Sequence, residues 1–254
     1  MKHSSAPIFI QSGFSLIEMA VVLFIIALLL GGLLPTVSSQ IEQQKRAETK
    51  KQLDEIQQAL IGFAFANGRL PCPALETTPN DQATAGQEKL KTGTIGPTLE
   101  CANAQGVLPW ATLGVSETDS WGRRFTYRVT LHFADAIELP NYAGCVPSPI
   151  PIFSSFALCS KGDIFVRTKS SGGTIIASII PAVVVSHGAN GLGGFLPSGL
   201  QVLPLPAANV DEKENTDNNV NFVSHENSAI FDDMLIFISP NILYNRMVSA
   251  GKLP

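Results

Sequence analysis

Gly13-Phe14-Ser15-Leu16-Ile17-Glu18-Met19 opens an apolar run that continues to Leu34 with one charge in it, Glu18. At about 1.5 Å per helical residue, the stretch from Phe14 to Leu34 is long enough to cross the ~30 Å hydrocarbon core of a bilayer. The run therefore reads as a membrane helix. A carboxylate inside such a segment costs several kcal/mol unless it is neutral, snorkels or finds a partner, so Glu18 needs a specific role. Gly31-Gly32 lead into Leu33-Leu34-Pro35, not into the small-residue cleavage site that follows the apolar region of a secretory signal peptide.

A short polar leader ending in Gly13, an aromatic at Phe14 and a glutamate at Glu18 before a long apolar helix resemble the prepilin segment of the type IV pilin and type II secretion pseudopilin superfamily. The resemblance implies cleavage between Gly13 and Phe14 by a prepilin peptidase, N-methylation of the new Phe14 amine, and Glu18 as the filament-assembly residue. Two opposite charges at 4 Å attract by about 4 kcal/mol at an effective dielectric of 20, so Glu18 is expected to pair with the Phe14 amine of its own or a neighbouring subunit. Lys and Arg distribution points the other way on topology. The leader offers Lys2 alone, whereas Lys45, Arg46, Lys50 and Lys51 follow the span, against the positive-inside rule. Orientation, with the remainder of the chain in the periplasm, rests on the resemblance.

The chain has 17 basic and 21 acidic side chains, and no basic stripe interleaved with aromatics, so nucleic acid is not an expected partner. The four cysteines, Cys72, Cys101, Cys145 and Cys159, all follow the anchor, and in an oxidising periplasm an even number reads as disulfides. Four cysteines allow three pairings; local pairing, Cys72 with Cys101 and Cys145 with Cys159, is the expectation. No C-x-x-C spacing supports zinc.

Beyond the span the helix should continue to about Asn67. Leu53, Ile56, Leu60 and Phe63 recur at three- and four-residue steps and mark an apolar stripe that should pack on a sheet. Asn67-Gly68 supplies the stop and Pro71 prevents resumption. Pro35 cannot donate to the carbonyl of Gly31, which makes it a candidate kink. Residues 72 to 120 read as a disulfide-stapled loop, and Asp119-Ser120-Trp121-Gly122 resembles the turn that leads into the first pseudopilin strand.

Phe125, Tyr127, Val129, Leu131 and Phe133 alternate with Thr126, Arg128, Thr130 and His132, which predicts a strand with one buried face and His132 in solvent. Ile164 to Lys169 and Thr174 to Ile180 flank Ser170-Ser171-Gly172-Gly173 as a hairpin, and Ala182 to Val185 read as another strand. Met234 to Ile238 suit a central buried strand, and Ser239-Pro240 open a short terminal helix with Leu243 and Met247 as its apolar pair, ended by Gly251. The expected fold class is α+β and pilin-like, a long N-terminal membrane helix packed on an antiparallel sheet, divided into leader 1–13, transmembrane helix 14–34, periplasmic helix 35–67 and globular domain 68–254.

His187-Gly188-Ala189-Asn190-Gly191-Leu192-Gly193-Gly194 lacks the spacing of a phosphate loop, but it resembles the glycine-rich loop that contributes to a calcium site in major pseudopilins, with Asn190 where that pattern has Asp. Asn190, Asp217 and Asp232 are the candidate calcium ligands, against a polar loop with no ion. Ser186-His187 and Ser224-His225 sit side by side on extended chain and point to opposite faces, and no nucleophile elbow occurs, so no catalytic residues are expected.

The sequence thus describes a non-enzymatic structural subunit, minor or divergent, of a type II secretion pseudopilus or type IV pilus. Its expected partners are other pilin or pseudopilin subunits, prepilin peptidase, the inner-membrane assembly platform and the membrane. It would be held in the inner membrane by a single span before filament assembly. The alternative is a membrane-anchored, adhesin-like binding module that builds no filament.

Overall fold

The computed structural model describes residues 13, 15–91, 93, 99–136, 142, 145–147, 149, 150, 153–205, 210–228 and 230–253; Phe14 and the leader before Gly13 lie outside them. The chain forms two compact units, Met1–Gln44 and Lys45–Pro254. Helix α1, Leu16–Asn67, belongs to both.

In the first unit α1 shows its apolar side chains on every side. Leu16, Ile17, Leu23, Phe24 and Leu28 are all more exposed than buried. Among the described residues no helix is long and apolar enough to cross a membrane, and the side chains of residues 29–37, within and just after the expected span, are not among those described. The helix runs through Pro35 without a break.

In the second unit the same helix is amphipathic. Leu53, Ile56, Leu60, Ile61 and Ala64 are buried, whereas Phe63, expected on the stripe, is only half-buried and has the Arg69 guanidinium over its ring at 5.3 Å. The helix ends where expected. Gly68 takes a left-handed φ of 71°, which lets its N–H return to the Ala64 carbonyl at 2.8 Å, and such a φ is open to glycine at no steric cost.

In chain order there follow β1 (Gln105–Val107), α2 (Trp110–Leu113), β2 (Thr126–Val129), β3 (Ile164–Arg167), β4 (Ile175–Ile180), β5 (Ala182–Ser186), α3 (Val210–Glu214), β6 (Asn221–Val223), β7 (Met234–Phe237) and α4 (Pro240–Ser249). One sheet is antiparallel with order β1-β2-β5-β7, and a second has order β4-β3-β6. The β3–β4 hairpin forms as expected, but β6 lies parallel to β3, so the domain carries two sheets and one parallel pair instead of a single antiparallel sheet. The long connection through β4, β5 and α3 makes this possible, because parallel neighbours need a crossover.

Strand β5 explains how the layers stack. Ala182 and Val184 join the core under α1 with Leu53, Ile56 and Leu60, while Val183 and Val185 join Ile164, Val166, Ile180 and Phe222 of the second sheet. A strand covered on both faces reads as a continuous apolar run.

The alternation seen from Phe125 to Phe133 does not give one long strand. β2 stops at Val129 and Leu131–Phe133 form a 3-10 turn. Nor does β2 have a wet face, since Thr126 and Arg128 are each only 7% exposed. Thr126 pairs with His187, and Arg128 donates to Asn218 at 3.1 Å. His132, expected in solvent, is half-buried against the Lys161 carbonyl at 3.1 Å, and burial lowers its pKa. β7 is an edge strand, half-buried along its length, not a central one. Helix α4 starts at Pro240 and buries Leu243 and Met247, although Ser239 makes no side-chain cap bond.

Both expected disulfides form, Cys72–Cys101 with Cα atoms 5.3 Å apart and Cys145–Cys159 at 5.8 Å, within the usual range. The first staples the loop that carries Glu88, whose carboxylate accepts from Arg69 and from the Cys72 N–H at 2.7 Å each. The fully buried Arg124 pins that loop a second time. Its guanidinium donates to Glu117, to the carbonyls of Glu76, Thr78 and Pro197, and lies 4.5 Å from the Trp110 ring centroid.

Candidate functional site

The start of α1 and the loop after β5 hold the residues that the sequence singled out. At the first, the Ser15 N–H donates to Glu18 Oε2 at 2.8 Å while the Glu18 N–H donates to Ser15 Oγ at 3.3 Å. This is a capping box, in which each side chain satisfies a backbone donor that the first helical turn leaves unpaired. Its S-x-x-E spacing stands in Ser15-Leu16-Ile17-Glu18 and is a second reason, separate from assembly, for a glutamate here. Gly13 is exposed, and Phe14 lies outside the described residues.

The second place is built from three segments. The loop after β5 brings His187 and Asn190, α3 brings Glu212, and the residues before β7 bring Asp232 and Asp233. Glu212, Asp232 and Asp233 can each present an oxygen within 4.8 Å of the others. Asn190 ties two of them together, its backbone N–H donating to Asp232 Oδ2 at 2.9 Å and its Nδ2 to Glu212 Oε1 at 2.9 Å. Asn215 Nδ2 donates to Asp233 Oδ2 at 2.8 Å. Of the three sequence candidates for calcium, Asn190 and Asp232 meet here. Asp217 does not join them; its carbonyl accepts from Gln105 Nε2 at 3.4 Å.

Burial raises the Asp233 carboxyl well above the ordinary carboxylate range, and Glu212 and Asp232 push it further by charge repulsion. Burial also lifts Glu212. His187 is fully buried, which lowers its pKa to about 4 and keeps the ring neutral near pH 7. Its Nε2 shares a 2.8 Å hydrogen bond with Thr126 Oγ1, while its Nδ1 has no partner and stands 3.8 Å from Asp233 Oδ1. Asp232 Oδ1 is likewise buried without a partner. Three converging carboxylates with an orphaned oxygen match the hard-oxygen chemistry that calcium takes. Asn190 fits less well, because its Oδ1 already accepts from the Leu192 N–H at 2.8 Å.

The adjacent Ser186 and His187 do not form a nucleophile and base. Ser186 Oγ donates to Asp119 Oδ2 at 2.7 Å, away from the imidazole. That aspartate also accepts from the N–H groups of Trp121 and Arg123, so the Asp119-Ser120-Trp121-Gly122 turn is locked to the end of β5. His225 stacks on Phe231 at 3.9 Å and meets Asp211 instead of Ser224.

Against known proteins, residues 9–34 match the family described as the prokaryotic N-terminal methylation motif. The chain therefore carries the prepilin-type segment that is the hallmark of type IV pilins and pseudopilins. No curated protein and no solved structure matches the chain.

Proposed function

We propose that this protein is a structural subunit, minor or divergent, of a type II secretion pseudopilus or type IV pilus. The methylation motif at residues 9–34 carries this reading. A prepilin peptidase would cut between Gly13 and Phe14 and the new amine would be methylated. Residues 14–34 would hold the subunit in the inner membrane, with the disulfide-bonded unit in the periplasm, until the assembly platform adds it to other subunits. The exposed apolar side chains of Leu16, Ile17, Leu23 and Phe24 support this, since a helix that is apolar all round needs lipid or other helices around it. The capping partner found for Glu18 is local, and a neighbour's Phe14 amine offers it a charged one. A filament-free adhesin-like module would need neither the cleavage motif nor Glu18. Mass spectrometry of the protein made with an active prepilin peptidase should give an N-terminus at Phe14 bearing one methyl group; an intact Met1, or a cut beyond residue 30, refutes the proposal.

A second reading concerns the carboxylates. Glu212, Asp232 and Asp233 would bind one calcium ion, with Asn190 positioning two of them through its amides, and the orphaned Asp232 Oδ1 favours this reading.

A further inference from the structure

We propose that a cavity of about 240 Å³ between β1, the glycine-rich loop and the turn after α3 is a binding site for a single neutral sugar ring. This inference does not depend on the filament reading. The cavity is lined by Glu76, Gln105, Thr126, Phe195, Gln201 and Asn218, which come from five separate stretches of chain. Gly193 and Thr216 close its wall, because Gly193 has φ 81° and a Cβ there would stand 2.1 Å from Thr216 Cγ2. The volume is below the ~300–1,000 Å³ of drug-sized sites and suits one ring.

The polar groups of the lining identify the ligand. Glu76 Oε2 and Gln105 Oε1 are buried and accept no hydrogen bond. Buried acceptors without donors are unfavourable, and the terminal torsions of Glu and Gln are soft enough to turn both oxygens to an incoming donor. Gln201 Nε2 is committed to the Gly193 carbonyl at 3.0 Å, which leaves its Oε1 as a third acceptor. Asn218 Oδ1 is committed to Arg128, which leaves its Nδ2 as a donor. Three acceptors, one donor and the half-buried Phe195 ring match hydroxyl groups, which donate and accept, on a ring with an apolar C–H face.

Charged ligands fit worse. An ammonium or guanidinium group only donates, and two guanidiniums already hold lining residues from behind, Arg124 on the Glu76 carbonyl at 3.0 Å and Arg128 on Asn218 Oδ1 at 3.1 Å. The Glu76 carboxylate opposes phosphate or another anion.

The test is saturation-transfer NMR on the full chain in detergent micelles with D-glucose, D-galactose, D-mannose and N-acetyl-D-glucosamine at millimolar concentration, and with lysine ethyl ester as the cationic probe. At least one sugar should show saturable transfer, weakened at least tenfold by Gln105→Leu and by Gln201→Ala. Gln201 is half-exposed and its truncation should leave the fold intact, which thermal unfolding checks. Absence of transfer from all four sugars overturns the proposal, as does sugar binding unchanged in both variants. Binding of lysine ethyl ester alone, lost in Glu76→Gln, overturns it in favour of a cation site.

Discussion

Residues 16–28 and residues 45–67 lie on one uninterrupted helix, yet their side chains have opposite fates. In the first stretch Leu23 is 61% and Phe24 65% exposed, and in the second Leu60 and Ala64 are wholly buried. Backbone geometry is the same in both, so the difference lies in the side-chain pattern. Where leucine, isoleucine and valine cover every side of the helix, no single face can be offered to a sheet. Where they recur at three and four residues among Gln, Glu and Lys, one stripe docks and the remainder faces water. One helix thus serves two environments by changing its pattern along its length.

The most direct challenge to that contrast is truncation of one leucine in each half. Leu60→Ala should destabilise the folded unit by about 2–5 kcal/mol, whereas Leu23→Ala should change it by no more than about 0.5 kcal/mol, read from denaturant midpoints. Equal effects would mean that both halves are core. Removing the Cys72–Cys101 bond by paired serine substitutions should cost about 3 to 4 kcal/mol in the chain-entropy model, because it closes a separation of 29 residues. A midpoint unchanged by that removal would show that Arg124 and the Arg69–Glu88 pair hold the loop by themselves. Calcium, if it binds the carboxylate cluster, should raise stability by about 2.7 kcal/mol at a hundredfold excess over its dissociation constant. Asp232→Asn should abolish that increment, and a wild-type melting temperature indifferent to calcium and to chelator would refute the calcium reading. The smallest energetic effect belongs to the exposed half. Glu18→Ala should reduce filament incorporation at least tenfold, equivalent to about 1.4 kcal/mol, with cleavage and unfolding midpoint as in wild type. Incorporation at the wild-type level would remove Glu18 from assembly.

Much of this was legible in the residues themselves. The prepilin-type segment is read by the identity and spacing of its residues, the helix stop by Asn67-Gly68, the hairpin by Ser170-Ser171-Gly172-Gly173, and both disulfides by proximity in sequence. What escaped is non-local. Nothing in Asn221-Phe222-Val223 announces that it lies parallel to β3, and nothing in Met234-Leu235-Ile236-Phe237 says that it ends the sheet order among the described strands. Buried polar residues escaped for a related reason. Thr126, Arg128 and Arg124 have the pattern of a solvent face, and it takes partners far along the chain, His187, Asn218 and the carbonyls of Thr78 and Pro197, to account for their burial. Of the three calcium candidates, Asn190 and Asp232 meet at the carboxylate cluster, while Asp217, chemically as suitable as Glu212, lies elsewhere along the chain path. The capping box was present in the sequence as Ser15-Leu16-Ile17-Glu18, overshadowed by the second meaning of Glu18.

That capping box alters what it means for Glu18 to find a neighbour. A bare carboxylate in lipid would seize the first cation it met; one already holding the Ser15 N–H has to let go first, and caps of this kind are worth about 0.5–2 kcal/mol. On the proposed filament reading, entry would be an exchange reaction, in which the local hydrogen bond to Ser15 is surrendered for an intermolecular charge pair and the first turn of the helix loosens as the trade is made. The unassembled subunit would then be a latched form, with the Ser15 hydroxyl bracing the latch from the other side through its bond to the Glu18 N–H.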